Sequence, residues 1–236
     1  MTTDGAAARR NGGWKTALAA GLLGALIGGG AVAYASRTSV RDYLLENPEV
    51  LPEAMDRLRE RESARAVSAN RSALETPFAG AWAGAADGDV VLVEFFDYAC
   101  GYCRKSNSDI DRLLSEDKKL KVVWREWPVL GPDSEAAARA SLAAARAGRF
   151  KPFYDALFAA GRPSTEAVAK ARAAVGLSGE IPAAAADGEL QRNFQLARNL
   201  EATGTPTFVV GDQILQGAVG YEALRDAIRD ARAKKG

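Results

Sequence analysis

The chain has 236 residues, 47% of them apolar, which is enough for one well-buried domain with additional segments. Its 31 basic residues against 30 acidic ones leave a net charge of +1, so no electrostatic footprint for nucleic acid is present. There is no histidine, which excludes Ser-His-Asp triads, Cys-His nucleophile pairs and histidine metal sites. The two cysteines, Cys100 and Cys103, are too close in the chain to staple a fold, and they read as a site.

Residues 1–13 read as a polar cytoplasmic tail carrying Arg9 and Arg10. Residues 14–36 read as a transmembrane anchor or a signal peptide. From Thr16 to Ser36 there are 21 residues without a charge, between Lys15 and Arg37, and that length suits one membrane-spanning helix. The positive charge ahead of it predicts a cytoplasmic N-terminus. Ala33-Tyr34-Ala35 is an A-x-A-like cleavage site, so a cleaved signal fits the same run, while length and flanks disfavour a buried core helix. Both favoured readings place the remainder in a periplasmic or extracytoplasmic compartment, where disulfides form and persist.

Residues 38–75 read as a charged helical stalk. Asn47-Pro48-Glu49 reads as a helix start, with Asn47 capping, Pro48 at the first helical position and Glu49 at the positive dipole end. Leu44, Leu51, Met55 and Leu58 recur at spacings of seven, four and three, an a/d-like stripe. The stripe is compatible with a homo-oligomer through residues 38–75 or with a helix docked on its own domain. Glu75-Thr76-Pro77 ends the helix and opens the main domain.

Val90-Val91-Leu92-Val93-Glu94-Phe95-Phe96 is a nearly continuous β-prone run, as expected of a central strand buried on both faces. Cys100-Gly101-Tyr102-Cys103 follows at once, and Arg104 through Leu114 has helix-compatible apolar positions at Ile110, Leu113 and Leu114. Strand, tight loop and Cys-x-x-Cys at a helix start put Cys100 beside unpaired N–H groups and the positive end of a dipole. That setting stabilises a thiolate, the nucleophile of disulfide exchange, and Cys103 one turn later can resolve a mixed disulfide. Half a zinc site has the same spacing, but its other ligands would have to come from another chain. An inert bridge leaves the placement at a helix start unexplained. Glu94, inside an apolar strand, reads either as an outward carboxylate or as a buried acid that moves the proton of Cys103.

Lys121-Val122-Val123-Trp124 predicts a second strand, and the stretch from Asp133 to about Glu201 is helical with breaks near Gly148, Gly161-Arg162-Pro163 and Gly176. Gly204-Thr205-Pro206 then leads into Thr207-Phe208-Val209-Val210, with proline at the mouth of a strand. Frequency alone favours a trans Thr205–Pro206 bond; a cis bond would open the Thr205 backbone toward Cys100 and toward an extended peptide. Gly211 or Asp212 turns the chain into Gln213-Ile214-Leu215, and Gly217 to Ala233 reads as a closing amphipathic helix.

With Glu-Phe-Phe-Asp-Tyr-Ala-Cys-Gly-Tyr-Cys at 94–103 and Gly-Thr-Pro-Thr-Phe at 204–208, residues 77–236 resemble the DsbA family, and Tyr43 to Leu51 resembles the N-terminal region of its ScsC-like branch. The resemblance implies an α/β thioredoxin fold with a helical insertion at about 133–201. It also implies a cis Pro206 and Glu94 as the family's buried acid. The implied activity is thiol–disulfide oxidoreduction by Cys100 and Cys103, with Tyr102, Thr205 and Pro206 at the substrate and no separate cofactor. Its implied partners are disulfide-containing envelope proteins and a membrane thiol reductant of the DsbD or ScsB type. DsbA has Pro-His between its cysteines; Gly101-Tyr102 with threonine before the proline is similar to the isomerase DsbC. The absent histidine removes one stabilising partner from the thiolate, so isomerisation or reduction is expected over oxidation. The alternative is an envelope copper or zinc carrier using the same thiolates.

Overall fold

The computed structural model describes residues 40–235, so the tail and the candidate anchor or signal run, residues 1–36, lie outside the described residues. Among the described residues no helix is long and apolar enough to cross a membrane. The chain divides into two units, one ending at Leu58 and one running from Arg59.

In the first unit residues 40–46 are helical. Asn47 does not cap the next helix as its position suggests. Its Nδ2 donates to Tyr43 O at 2.9 Å and its backbone N–H to the same carbonyl at 2.8 Å, closing the preceding turn. The reason is Pro48, which disfavours helical backbone at the residue before it. Helix α1 therefore starts two residues beyond Pro48 and spans Val50–Glu75. Leu51, Met55 and Leu58 are all exposed by half or more.

The second unit is built on a five-stranded sheet of order β1-β3-β2-β4-β5, with β1 Trp82–Gly84, β2 Val90–Phe96, β3 Leu120–Glu126, β4 Thr207–Val210 and β5 Gln213–Gln216. Strands β2 and β3 pair in parallel and every other pair is antiparallel. Helix α2 (Gly101–Glu116) makes the β2-to-β3 crossover, and four helices, α3 Pro132–Arg146, α4 Phe150–Ala159, α5 Thr165–Ala174 and α6 Ala183–Asn199, separate β3 from β4. Helix α7, Tyr221–Ala233, closes the unit. It starts later than Gly217 because Gly217 and Gly220 both have positive φ, a conformation no helix uses. The helical breaks have a shared cause at Gly148 and Gly176: each takes a left-handed conformation just past a helix end, at φ +70° and +62°.

Strand β2 is buried on both faces, so its residues divide between two cores. Leu92 and Phe96 join Trp124, Phe150, Tyr154, Phe208 and Ile228 on one side. Val93 and Phe95 join Val123, Trp127, Leu196, Leu200 and Val209 on the other, together with Val67 and Leu74 of α1. Glu94 alternates with the first set and so points into the larger core.

One buried cation ties the second core together. Helix α1 has no basic residue in its last turn, and Arg125 of β3 supplies the missing donors. Its Nη2 donates to Leu74 O at 3.1 Å and also to Ala73 O and Thr76 O. Its Nη1 donates to Glu189 of α6 at 2.9 Å, with both side chains almost wholly buried. Removing Arg125 strips several carbonyls of their donor and leaves the buried Glu189 only its second oxygen's pairing with Arg192 at 2.7 Å. Arg125→Ala is expected to lose about 3–5 kcal/mol in urea unfolding; a loss below about 1 kcal/mol, the level of an exposed pair, would show that the clamp carries no weight.

Candidate active site

Cys100 is the residue before the first turn of α2. Its backbone is extended (φ −77°, ψ 115°) and its sulfur accepts the Cys103 N–H at 3.3 Å. Sulfur thus takes the place that a serine or aspartate oxygen fills at an ordinary helix start. The Cys100 N–H is spent on Asp97 O at 3.0 Å. Both cysteines are free thiols. Cys100 is only 5% exposed and Cys103 not at all.

The two thiols are unequal. Cys100 is lowered to about 5, first by the hydrogen bond from the Cys103 side chain, then by the N–H groups of Cys103 and Tyr102, against the opposing cost of burial. Cys103 is pushed far above its ordinary value by burial, and further by the Cys100 sulfur and the Glu94 charge. At neutral pH one sulfur is an anion and the other holds its proton.

Glu94 has no exposed surface. Burial raises its carboxyl to about 8, opposed by the polar hydrogens of Trp124 and Tyr154. The reading of an outward carboxylate is thereby set aside, since Tyr154 Oη lies 3.3 Å from Glu94 Oε2 inside the core. Thr205 and Pro206 enter from the other half of the chain. The Thr205–Pro206 bond is cis, contrary to what frequency alone favours and in line with the resemblance. The carbonyl oxygen of Thr205 lies 3.2 Å from Cys100 Sγ, a hydrogen bond open to the protonated thiol and lost once the sulfur ionises. Tyr102 is 68% exposed beside the nucleophile. The geometry therefore brings Cys100, Cys103, Thr205 and Pro206 to one point, with Glu94 in the core and Tyr102 at the rim.

Sequence reasoning missed three contributors. Asp97, buried, accepts from Ala99 N at 2.7 Å and from Val129 N and Leu130 N at 2.9 Å each, pinning the dithiol loop to the loop after β3. An aspartate two residues before its N–H partner is a recognisable Asx turn, but the second loop is more than thirty residues away. Tyr154 is visible only as one more aromatic in α4. Glu126, at the end of β3, is buried with Oε1 unpartnered, and burial raises its carboxyl well above the usual range. Among the described residues no group of three or more acidic or cysteine side chains is placed to hold a metal ion.

The DSBA-like thioredoxin domain matches over residues 91–229. The chain belongs to that family. The N-terminal domain of the copper resistance protein ScsC matches residues 37–65 of this family member. Among solved structures, a linker-deletion mutant of Proteus mirabilis ScsC is 29% identical with a TM-score of 0.71, covering 84% of this chain and 93% of its own. A thioredoxin-like oxidoreductase from Silicibacter pomeroyi is 37% identical with a TM-score of 0.65, covering 71% of this chain and 99% of its own. A periplasmic thioredoxin-like protein from Salmonella enterica serovar Typhimurium is 25% identical at a TM-score of 0.65, covering 69% and 95%. The curated relatives are longer: the chain spans 24% of the Salinispora tropica Na(+)/H(+) antiporter NhaA 3, at 28% identity over 158 residues. Membership supports thiol–disulfide oxidoreductase chemistry in general, on a mixed α/β thioredoxin-like fold.

Because the largest stabilisation of the Cys100 anion comes from the Cys103 side chain, Cys103→Ala should move the Cys100 midpoint from about 5 toward the ordinary thiol range. Thiolate absorbance followed against pH reads this directly, and an unmoved midpoint would assign the anion to the helix N-terminus alone.

Proposed function

We propose that the chain is an exported thiol–disulfide oxidoreductase that isomerises or reduces disulfides in envelope proteins rather than forming them. The observation that carries this reading is the Cys100 sulfur at the start of α2, accepting the Cys103 N–H at 3.3 Å and lying 3.2 Å from the Thr205 carbonyl oxygen, a place that lowers the thiol to about 5. The Cys100 thiolate attacks one sulfur of a substrate disulfide, forming a mixed disulfide and releasing the other sulfur as a thiolate. The peptide around the substrate cysteine lies extended along Thr205 and Pro206, and Tyr102 offers an exposed ring to its side chains. Either a substrate thiolate attacks the mixed disulfide and completes a shuffle, or Cys103 gives its proton to Glu94 and attacks Cys100. The second route oxidises the dithiol and reduces the substrate by two electrons, which a membrane reductant of the DsbD or ScsB type restores.

Direction follows from how stable the reduced pair is. A thiolate at about 5 lies above the value of about 3.5 found in a strongly oxidising dithiol and below the value of about 7 in thioredoxin. A less stabilised thiolate makes a less oxidising disulfide, and Gly101-Tyr102 supplies no histidine to lower it.

Residues 77–236 form the catalytic domain, with 133–201 as its insertion, and 38–75 its stalk. The extracytoplasmic placement is supported by the uncharged run at 16–36 and by the similarity to a periplasmic thioredoxin-like protein. On that reading the run anchors the chain with its N-terminus cytoplasmic. Self-association through 38–75 is supported by the exposed Leu51, Met55 and Leu58 and by the match at 37–65.

Scrambled ribonuclease held at a mild reducing poise should regain activity with the purified chain and not with Cys100→Ser. Cys103→Ala should keep part of the shuffling while accumulating mixed disulfides. Fast oxidation of reduced ribonuclease with no rescue of the scrambled form would make the protein an oxidase. Sedimentation should show an oligomer that the double substitution Leu51→Glu, Met55→Glu converts to monomers; a monomer before substitution removes the stalk from the assembly.

A further inference from the structure

Glu94 is asked to accept a proton inside the core, where it has no exposed surface, and a buried acid that changes charge needs a partner whose hydrogen bond can reverse. The hydrogen bonds around it offer one. Tyr154 of α4 is 1% exposed, and its single phenolic proton is shared between two acceptors: Glu94 Oε2 at 3.3 Å and Asn107 Oδ1 at 2.7 Å. Asn107 is half-buried on α2, one turn beyond Cys103, and is the first residue along this path that reaches the surface. The remaining titratable groups facing Glu94 are the two cysteines of α2, Tyr98 from the dithiol loop and Glu126 of β3. Glu126 is itself buried, and the hydroxyl of Tyr98 is engaged with Ser141 at 2.7 Å.

We propose that Tyr154 is a positioning residue for the proton transfer of Glu94, its hydroxyl switching between Glu94 and Asn107 as the carboxyl changes charge. The inference rests on Glu94 serving as the base for Cys103. With Glu94 ionised, the phenol turns its proton to Oε2 and stabilises the carboxylate that the reaction requires. When Cys103 gives up its proton, Glu94 becomes neutral and donates to the phenolic oxygen, whose own proton then points to Asn107 Oδ1 at the surface. No net charge is left on the phenol at either stage. The thiolate of Cys103 attacks Cys100 and the departing group leaves as a thiolate, while the proton stays on Glu94, hydrogen-bonded to the phenolic oxygen, and returns to Cys103 when the disulfide is reduced again.

An aromatic disulfide such as 5,5′-dithiobis(2-nitrobenzoate) separates the steps in the full reduced chain. The first chromophore is released when Cys100 attacks, and the second when Cys103 displaces the remaining half. Tyr154→Phe keeps the ring and removes the hydroxyl. The second release should slow by on the order of tenfold at neutral pH, the cost of one hydrogen bond made to a charged group. Its pH midpoint should move upward, because the carboxylate has lost a donor. The first release serves as the folding control. In a Glu94→Gln background the same substitution should produce no further loss, since it acts through the carboxyl.

A second release within twofold of the unaltered protein overturns the proposal, as does an equal loss in the Glu94→Gln background. If Glu94→Gln alone leaves the second release unchanged, it is the role of Glu94 that fails. Should Tyr154→Phe not fold, Asn107→Leu, which removes the phenol's second acceptor, is expected to slow the same step, and an unaffected rate overturns the switch.

Discussion

The thiolate at the start of α2 is held chiefly by hydrogen-bond donors, and the chain has no histidine to add a charge beside it. The rest of the site is arranged around that constraint. The sulfur of Cys100 caps the helix by accepting the Cys103 N–H, and the Cys103 thiol adds a second donor. Each is a modest interaction in water, but both act where solvent is nearly excluded and so count for more. The loop that delivers Cys100 is fixed by Asp97, whose carbonyl takes the Cys100 N–H while its carboxylate gathers three further N–H groups. A loop that wandered would lose both the cap and the anion.

The same arrangement creates the difficulty that the core must solve. Lowering one thiol with the hydrogen of the other raises the second, and burial raises it further. Resolution of a mixed disulfide therefore needs a base near Cys103 that water does not supply. Glu94 meets that need because its strand is buried on both faces, so desolvation holds it at about 8 rather than in the ordinary carboxylate range. Fully ionised, it would only repel the thiolate it has to help form; permanently neutral, it could accept nothing.

The sheet's two faces divide the labour. The face toward α2, α3, α4 and α7 carries the redox chemistry and its aromatic surround, where Phe96, Tyr98, Tyr154 and Phe158 meet edge-on or tilted. The opposite face is structural. There Arg125 closes the open end of α1 and pairs with Glu189, two residues beyond Val123 and directly before the buried Glu126. Alternation along β3 thus sends Trp124 and Glu126 to the redox face and Arg125 away from it, keeping a fixed positive charge from neutralising Glu94.

Much of this was legible in the amino-acid order because it depends on local chemistry. A β-prone run ending at Phe96, a Cys-x-x-Cys and a helix-compatible segment are adjacent in the chain, so the place of Cys100 at a helix start follows from them. The strand at 207–210 and the helical breaks at Gly148 and Gly176 are equally local. Asn47 misled because two neighbouring turns compete for one side chain, and Pro48 decides between them. What residue order could not assign were partnerships across long separations: Tyr154 with Glu94 over 60 positions and Arg125 with the end of α1 over about 50, while Thr205 was brought to Cys100 over 105 only through the family resemblance. Charge states belong to this second class as well. A glutamate's sequence neighbours say that it lies in a strand, but only the packing of both sheet faces removes water from it, and desolvation is what sets its proton affinity.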